Sequence, residues 1–155
     1  MKARLAFDQT AKLVGALKRG GRREIGGQLF GEQLAPSDFL VTELAVQARP
    51  GTVARFVVDL VHAAGEAVRF FDRTEHRYTR YNYIGEWHSH PSFAVQPSGP
   101  DIATMRSLVR DSDFRGLFAI LVIVRLDGET LSAGAWLFDP QGAERGIDLE
   151  IDLGR

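Results

Sequence analysis

The sequence predicts a mixed α/β or α+β fold in which two or three helices pack on a sheet. Segments with helical apolar spacing alternate with short strand-like segments. Residues 117–124 form a nearly continuous apolar run, which is typical of a central strand buried on both faces. Asp127-Gly128 then predicts a hairpin, with residues 130–138 returning antiparallel. Because the chain has 155 residues, we expect 1–155 to form a single domain.

The N-terminal part predicts a strand, a helix and a hairpin. Residues 2–7 are a short strand, and Asp8 or Thr10 is expected to cap a helix that runs to about Lys18. Gly20-Gly21 ends that helix. The hairpin consists of a strand over 23–31 that carries Glu24 near its start, a polar turn over 32–38, and a second strand over 39–46.

The remaining elements follow from apolar spacing and turn residues. They are a break at Pro50-Gly51, a short strand over 55–58, a helix over 59–71, a charged loop over 72–80, a strand over 82–88, a helix from Asp101 to about Asp113, and an edge strand over 146–153.

Composition excludes several classes of site. A net charge of −1 gives no general electrostatic reason to expect binding to nucleic acid or to an anionic membrane. The sequence has no cysteine, which rules out disulfides, thiolate metal sites and a cysteine nucleophile. It has neither an apolar run long enough to span a membrane nor the apolar core of a signal peptide, so a cytoplasmic location is expected.

One segment carries the pattern of a metal site. His88 and His90 are separated by one residue, so on a strand both side chains lie on the same face. A loop rich in proline and glycine follows and can bring Asp101 back to them. Imidazole and carboxylate are zinc ligands, and three protein ligands leave a fourth position open, as in catalytic sites. His62 and His76 lack such spacing and are expected to be structural.

This segment resembles the JAMM motif of the JAB1/MPN/Mov34 (MPN+) metalloproteases. The resemblance rests on His88-Ser89-His90-Pro91, followed by Ser98 and Asp101, and on an upstream Glu24-Ile25-Gly26-Gly27. The sequence Tyr83-Ile84-Gly85-Glu86-Trp87-His88-Ser89-His90-Pro91 resembles the bacterial branch of the family more than the eukaryotic proteasomal branch. The resemblance implies a curved, mixed and mostly antiparallel sheet of the cytidine-deaminase-like JAB1/MPN type, with about three helices.

The resemblance also implies roles for the individual residues. One Zn²⁺ would be bound by His88, His90 and Asp101, Glu24 would be the general base, and Ser98 would donate a hydrogen bond to the oxyanion. Spacing alone leaves two alternatives open. Glu86 lies on the same strand face as His88 and is a rival base, a partner of an imidazole or an unrelated charge, and Ser98 also suits a helix cap.

The expected function is therefore that of a zinc-dependent isopeptidase or peptidase. By resemblance, it would cleave after the C-terminal glycine of a ubiquitin-like protein, its conjugate being the partner. Two alternatives are a non-catalytic scaffold or binding module and a peptidase for a small peptide or amino-acid adduct. The loops that would select the substrate are 47–55 and 72–81 or 91–100. The sequence does not indicate the oligomeric state.

Overall fold

The computed structural model describes residues 1–47 and 60–154, and the side chains of all of these except 60–63. The break at Pro50-Gly51 and the strand at 55–58 lie outside the described residues. The elements in chain order are β1 (Lys2–Leu5), α1 (Phe7–Gly20), β2 (Gly26–Ala35), β3 (Asp38–Leu44), α2 (Leu60–Arg73), β4 (Tyr81–Ser89), α3 (Gly99–Arg110), β5 (Ala119–Asp127), β6 (Thr130–Phe138) and β7 (Glu144–Ile151).

The strands form one mixed sheet that closes into a barrel in the order β1-β3-β2-β4-β5-β6-β7. Among the described residues, four of its seven strand pairings are antiparallel, and the pairings β1–β3, β1–β7 and β4–β5 are parallel. This confirms the prediction of a mixed α/β fold with a curved sheet and three helices. β4 lies between β2 and β5, in the middle of the strand order.

The two faces of the sheet bury different clusters. Alternate residues of β5 (Ile120, Val122 and Val124) face the barrel interior together with Trp87 and residues of α1. We call this the inner face. Leu121 and Ile123 point to the opposite, outer face, where they pack against Met105 and Val109 of α3. As predicted, β5 is therefore buried on both sides, and α3 covers the outer face beside it.

A third cluster on the outer face is aromatic. Phe30 of β2 stacks on Phe70 of α2, with ring centroids 4.8 Å apart, and meets Tyr83 of β4 edge-on at 6.1 Å. α2 thus packs near β2 and β4, whereas α3 packs on β5 and β6. The part of the outer face between the two helices includes the end of β4 that carries His88.

The start of α1 differs from the prediction. Neither Asp8 nor Thr10 caps it, because the chain enters the helix directly from β1 and places extended Ala6 at the N-cap. The backbone N–H and the hydroxyl of Thr10 both donate to the carbonyl of Ala6, so Thr10 lies within the first turn. The predicted end is confirmed, since Gly21 follows the helix with a φ of 58°.

The first hairpin is confirmed, but its boundaries shift. β2 begins at Gly26, so Glu24 precedes the strand instead of lying on it. The strand continues to Ala35 because it pairs with both β3 and β4, and the predicted turn over 32–38 shrinks to Pro36 and Ser37. Ser37 adopts a left-handed φ of 62° in that turn.

The prediction that 146–153 is an edge strand was wrong. β7 pairs antiparallel with β6 and parallel with β1, so it closes the barrel and has a neighbour on each side. The alternation of apolar and acidic residues in this segment is matched by burial, since Ile147, Leu149 and Ile151 are half-buried and their neighbours are exposed. In the part of the chain that is described, no helix has the length and apolar character needed to cross a membrane.

Candidate metal centre

β4 delivers the two histidines to the outer face. His88 is near its end, and His90 follows it, held by a hydrogen bond of 2.9 Å from its backbone N–H to the carbonyl of Val124. Trp87 points the other way into the inner core and is 0% exposed. Because side chains alternate along β4, Trp87 lies in the inner core while the next residue, His88, lies at the polar site on the outer face.

Asp101 reaches the histidines from the first turn of α3. Ser98 is the N-cap of this helix, and the two residues form a capping box. The hydroxyl of Ser98 accepts a hydrogen bond of 3.2 Å from the backbone of Asp101, whose carboxylate accepts one of 2.7 Å from the backbone of Ser98. Ser98 thus has the capping role that was one of its two expected roles, and this cap fixes the direction of the Asp101 side chain.

The three side chains converge on one point. Nε2 of His88 lies 3.0 Å from Nε2 of His90, and these atoms lie 3.2 and 3.3 Å from Oδ1 and Oδ2 of Asp101. Ligands about 2.0–2.1 Å from a tetrahedral zinc ion are roughly 3.3 Å from one another. The two short distances to Asp101 involve different carboxylate oxygens, and one donor atom from each residue lies within 4.8 Å of the other two. The donor set therefore suits a zinc ion held by three protein ligands, with a fourth position open.

The tautomer of His90 suits a metal ligand. Its Nδ1 lies 2.9 Å from the carbonyl of Ala94, which can only accept, so Nδ1 carries the proton. In the neutral form of the ring, which is the form that binds a metal ion, the lone pair is therefore on Nε2, the nitrogen that faces the other two side chains. A hydrogen bond of this kind orients metal-bound histidines in proteins.

Asp101 and the neighbouring imidazoles stabilise each other's charged forms. Burial alone would raise the pKa of Asp101, but hydrogen bonds with the two imidazoles and with Ser98 lower that pKa well below its usual range. Its hydrogen bond with Asp101 raises the pKa of His90, against the opposing effect of burial. The carboxylate is thus ionised and stabilises positive charge at the centre of the group.

Glu24 is buried beside the group, with a side chain only 5% exposed. Two hydrogen bonds tie the next residue to β4, because Ile25 N–H donates to the hydroxyl of Ser89 at 3.0 Å and Ser89 N–H donates to the carbonyl of Ile25 at 2.8 Å. Gly26 allows the backbones to come this close, since a Cβ there would lie 2.3 Å from the carbonyl oxygen of Trp87. The glycine therefore lets Glu24 approach the histidines.

A cavity of about 820 Å³ joins these residues. Glu24, His88, His90, Ser98 and Asp101 all contribute to its wall, so the five residues expected at the site meet in one place. Phe93, Met105 and Leu121 add apolar surface to the cavity, and Phe93 is half exposed at 50%.

Glu86 also lines the cavity, next to His88 on the outer face. Its Oε1 accepts a hydrogen bond of 2.8 Å from the hydroxyl of Tyr83. Burial raises the pKa of Glu86 to about 8, although the hydrogen bond from Tyr83 acts in the opposite direction. Tyr83 and Glu86 share a face because a bulge at Ile84 shifts the alternation of β4.

The other two histidines lie elsewhere in the chain. His76 is in the turn after α2, where its ring nitrogens lie 2.8 Å from the hydroxyl of Tyr78 and 3.2 Å from a carboxylate oxygen of Asp72. The predicted structural role suits these contacts. His62 is on α2, and its side chain lies outside the described residues.

Two residues of the site were not found by sequence reasoning. The hydroxyl of Ser89 bridges to the segment that carries Glu24, and a serine between two histidines gives no sign of that role. Tyr83 reaches Glu86 only because of the bulge, for which Gly85 within a strand was the available signal.

Comparisons with known proteins found a matching family model and similar solved structures. The family model of prokaryotic homologues of the JAB domain (Prok-JAB) matches residues 8–138. A solution structure from Desulfitobacterium hafniense has a TM-score of 0.71 and 16% identity, covering 97% of this chain and 92% of that one. A JAB1/MPN domain protein from Archaeoglobus fulgidus has a TM-score of 0.49 and 18% identity, covering 98% of this chain and 97% of that one.

A curated relative matches a shorter region. It is the CD-NTase/cGAS isopeptidase of Enterobacter hormaechei subsp. hoffmannii (strain UCI 50), which is 35% identical over 71 residues. These are 46% of this chain and 37% of the relative, so the match spans well under half of that protein. The family model covers most of the chain, and the protein accordingly belongs to the prokaryotic homologues of the JAB domain.

Proposed function

We propose that this protein is a zinc-dependent isopeptidase or peptidase that hydrolyses the amide bond after the C-terminal glycine of a ubiquitin-like protein. The observation that carries the proposal is the meeting of His88, His90 and Asp101 with a buried carboxylate, Glu24, in one open cavity. The relative named an isopeptidase supports the choice of an amide linkage, and the ubiquitin-like partner rests on the motif resemblance.

The three-residue group would hold the ion. A zinc ion there would lower the pKa of a bound water to about 7 and polarise the scissile carbonyl. The hydrogen bond to Ala94 would orient the ring of His90, and the hydrogen bonds with Ser98 would orient the carboxylate of Asp101. The cap on α3 thus makes one ligand rigid, while pairing with β5 fixes the backbone of the histidines.

Glu24 would act as the general base. We propose that its carboxylate takes a proton from the attacking water and delivers it to the leaving nitrogen, which must be protonated before the amide bond breaks. Its low exposure keeps bulk water away from this transfer. Glu86 is the weaker candidate for this role, because one of its oxygens is already bonded to Tyr83 and burial keeps its pKa near 8.

Ser98 would stabilise the oxyanion. Its oxygen accepts a hydrogen bond from the backbone of Asp101, and its hydroxyl also makes a side-chain hydrogen bond with the Asp101 carboxylate. To stabilise the oxyanion, the hydroxyl hydrogen would turn from that carboxylate to a substrate oxygen in the cavity. A donor in this position typically contributes about 2.7–4 kcal/mol to stabilisation of the transition state. One hydroxyl would then serve both the cap and the reaction.

The proposal is tested with a panel of ubiquitin-like proteins, each extended beyond its terminal glycine by a peptide or by a lysine joined through its side chain. We expect the zinc-loaded wild type to release the extension from at least one member, and Glu24→Gln to release it about 10²–10⁴-fold more slowly. Cleavage of short peptides without any ubiquitin-like protein would instead favour the small-substrate alternative. No hydrolysis of either kind by the zinc-loaded protein would contradict the proposal.

A further inference from the structure

The cavity contains a second acid that the proposed reaction does not use. Glu86 has one oxygen, Oε1, bonded to Tyr83, while its Oε2 is buried and has no hydrogen-bond partner among the described residues. A buried polar atom without a partner destabilises the folded state. The cost would be offset if a bound molecule supplied the missing hydrogen bond.

A second atom of this kind lies on the neighbouring strand. Gln28 of β2 is directly opposite Glu86 of β4, so the two side chains leave the sheet on the same face. Its Oε1 is likewise buried without a partner among the described residues. Both side chains therefore have unused hydrogen-bonding capacity; Glu86 lines the cavity, and Gln28 lies beside it on the neighbouring strand.

The position of this pair relative to the metal group is set by the strand. Glu86 and His88 are two residues apart on β4, a separation of about 6.6–6.8 Å along a strand. An extended peptide has the same repeat, so a chain with its scissile bond at the metal group would place a peptide group two residues away near Glu86. Met105 and Leu121 border the same cavity, and with an exposure of only 2% each they belong to its closely packed apolar wall.

We propose that Glu86, with Gln28 beside it, is a subsite that binds a main-chain peptide group of the substrate about two residues from the scissile bond. This inference rests on the proposed peptidase function. A peptide group offers both an N–H donor and a C=O acceptor, so it can pair with a carboxyl in either protonation state and with an amide. Recognition of the main chain would position the substrate without selecting a side chain there.

The subsite can be tested by binding alone. The probe is a fluorescent pool of pentapeptide amides, with three randomised residues followed by Gly-Gly, and the parent protein is zinc-loaded Glu24→Gln, which binds without turnover. In this background we compare Glu86→Gln with the double variant Tyr83→Phe/Glu86→Leu by fluorescence anisotropy. Glutamine keeps one group for Tyr83 and one for the peptide, whereas the double variant removes both polar partners together.

We expect the pool to bind the parent, Glu86→Gln to stay within about threefold of it, and the double variant to bind about 10- to 100-fold more weakly. The double variant should unfold at the same or a higher temperature, because its buried polar atoms are gone. A purely structural role for Glu86 would instead leave binding by a stable double variant unchanged. That outcome, or absence of saturable binding to the parent, would overturn the subsite.

The two proposals fail in different ways. If the parent binds the pool and the double variant does not, but the zinc-loaded wild type hydrolyses none of the ubiquitin-like panel, the subsite stands and the hydrolase assignment falls. If the wild type hydrolyses its substrate and the double variant binds the pool as tightly as its parent does, the assignment stands and the subsite falls.

Discussion

The carboxylate of Asp101 combines two tasks in one side chain. It closes the capping box at the start of α3, and its two oxygens face His88 and His90. The folding of the helix therefore orients a metal ligand before any metal binds. His90 has a similar arrangement, since its second ring nitrogen is bonded to the carbonyl of Ala94. Single residues at this site are positioned by ordinary backbone interactions.

Glu24→Gln is expected to lower turnover by about 10²–10⁴-fold, because an amide cannot accept the proton of the attacking water. Bound zinc should remain at one ion per chain, since Glu24 is not among the three proposed ligands. Steady-state hydrolysis and metal analysis of the same preparation test both expectations. If instead Glu86→Gln abolishes hydrolysis and Glu24→Gln does not, the assignment of the base is wrong.

Ser98→Gly separates the two roles of the hydroxyl. Glycine at an N-cap costs only a few tenths of a kcal/mol relative to serine, so the melting temperature should change little. Loss of the oxyanion donor should lower kcat by about 10²–10³-fold. Ser98→Thr keeps the hydroxyl and is the matched control. Equal activity of the glycine and threonine variants would exclude a role for Ser98 in the reaction.

Among the elements, β2 and β4 determine where the base lies relative to the metal group. Their antiparallel register puts Gly26 opposite His88, and the segment before β2 runs beside the end of β4. The close approach of the two strands leaves no space for a Cβ at Gly26, which would lie 2.9 Å from Cβ of His88. The distance between Glu24 and the histidines thus depends on one glycine.

Gly26→Ala should therefore lower both stability and activity. The added methyl group would push β2 away from β4, and overpacking of this kind typically costs about 1–3 kcal/mol. Gly99→Ala at the first residue of α3 is the matched control, because a Cβ there has no neighbour within 4 Å. Thermal unfolding of the two variants makes the comparison, and a Gly26→Ala protein as stable as the control would contradict the close approach.

Elements marked by a short pattern in the sequence were predicted correctly. The apolar run of β5, the Asp127-Gly128 turn and the stripe of α3 were each found where the structure has them. The start of α1 was missed because a backbone carbonyl, that of Ala6, holds its first turn without a side-chain cap. The bulge at Ile84 was missed because Gly85 within a strand is only a general signal of a bulge, and the register shift itself depends on the partner strand.

At the scale of the whole molecule, the barrel closes through the pairing of β1 with β7. These strands come from opposite ends of the sequence, and parallel pairing at such a separation leaves no local pattern. The residues of the candidate site could be named from the sequence because their spacing resembles a known motif. Their convergence depends on the fold, since Glu24, β4 and α3 meet only in the folded chain.

The inner core is separate from the metal group. It is formed by residues of the barrel interior and α1, with Trp87 of β4 completely buried in it. Removal of metal should therefore leave the far-ultraviolet circular dichroism spectrum unchanged.

Zinc at about 1,000 times its dissociation constant should stabilise the wild type by about 4 kcal/mol. Asp101→Ala should show no such gain, and unfolding of the wild type on chelation would contradict this picture.

Zinc stoichiometry of the wild type beside His88→Ala tests the central claim most directly. Each protein is stripped of metal, titrated with zinc, and analysed after removal of loosely bound ions. We predict one tightly bound ion per wild-type chain and none in His88→Ala, because the variant retains only two of the three ligands. A wild type that retains no zinc, or a variant that retains as much as the wild type, would contradict a metal centre at His88, His90 and Asp101.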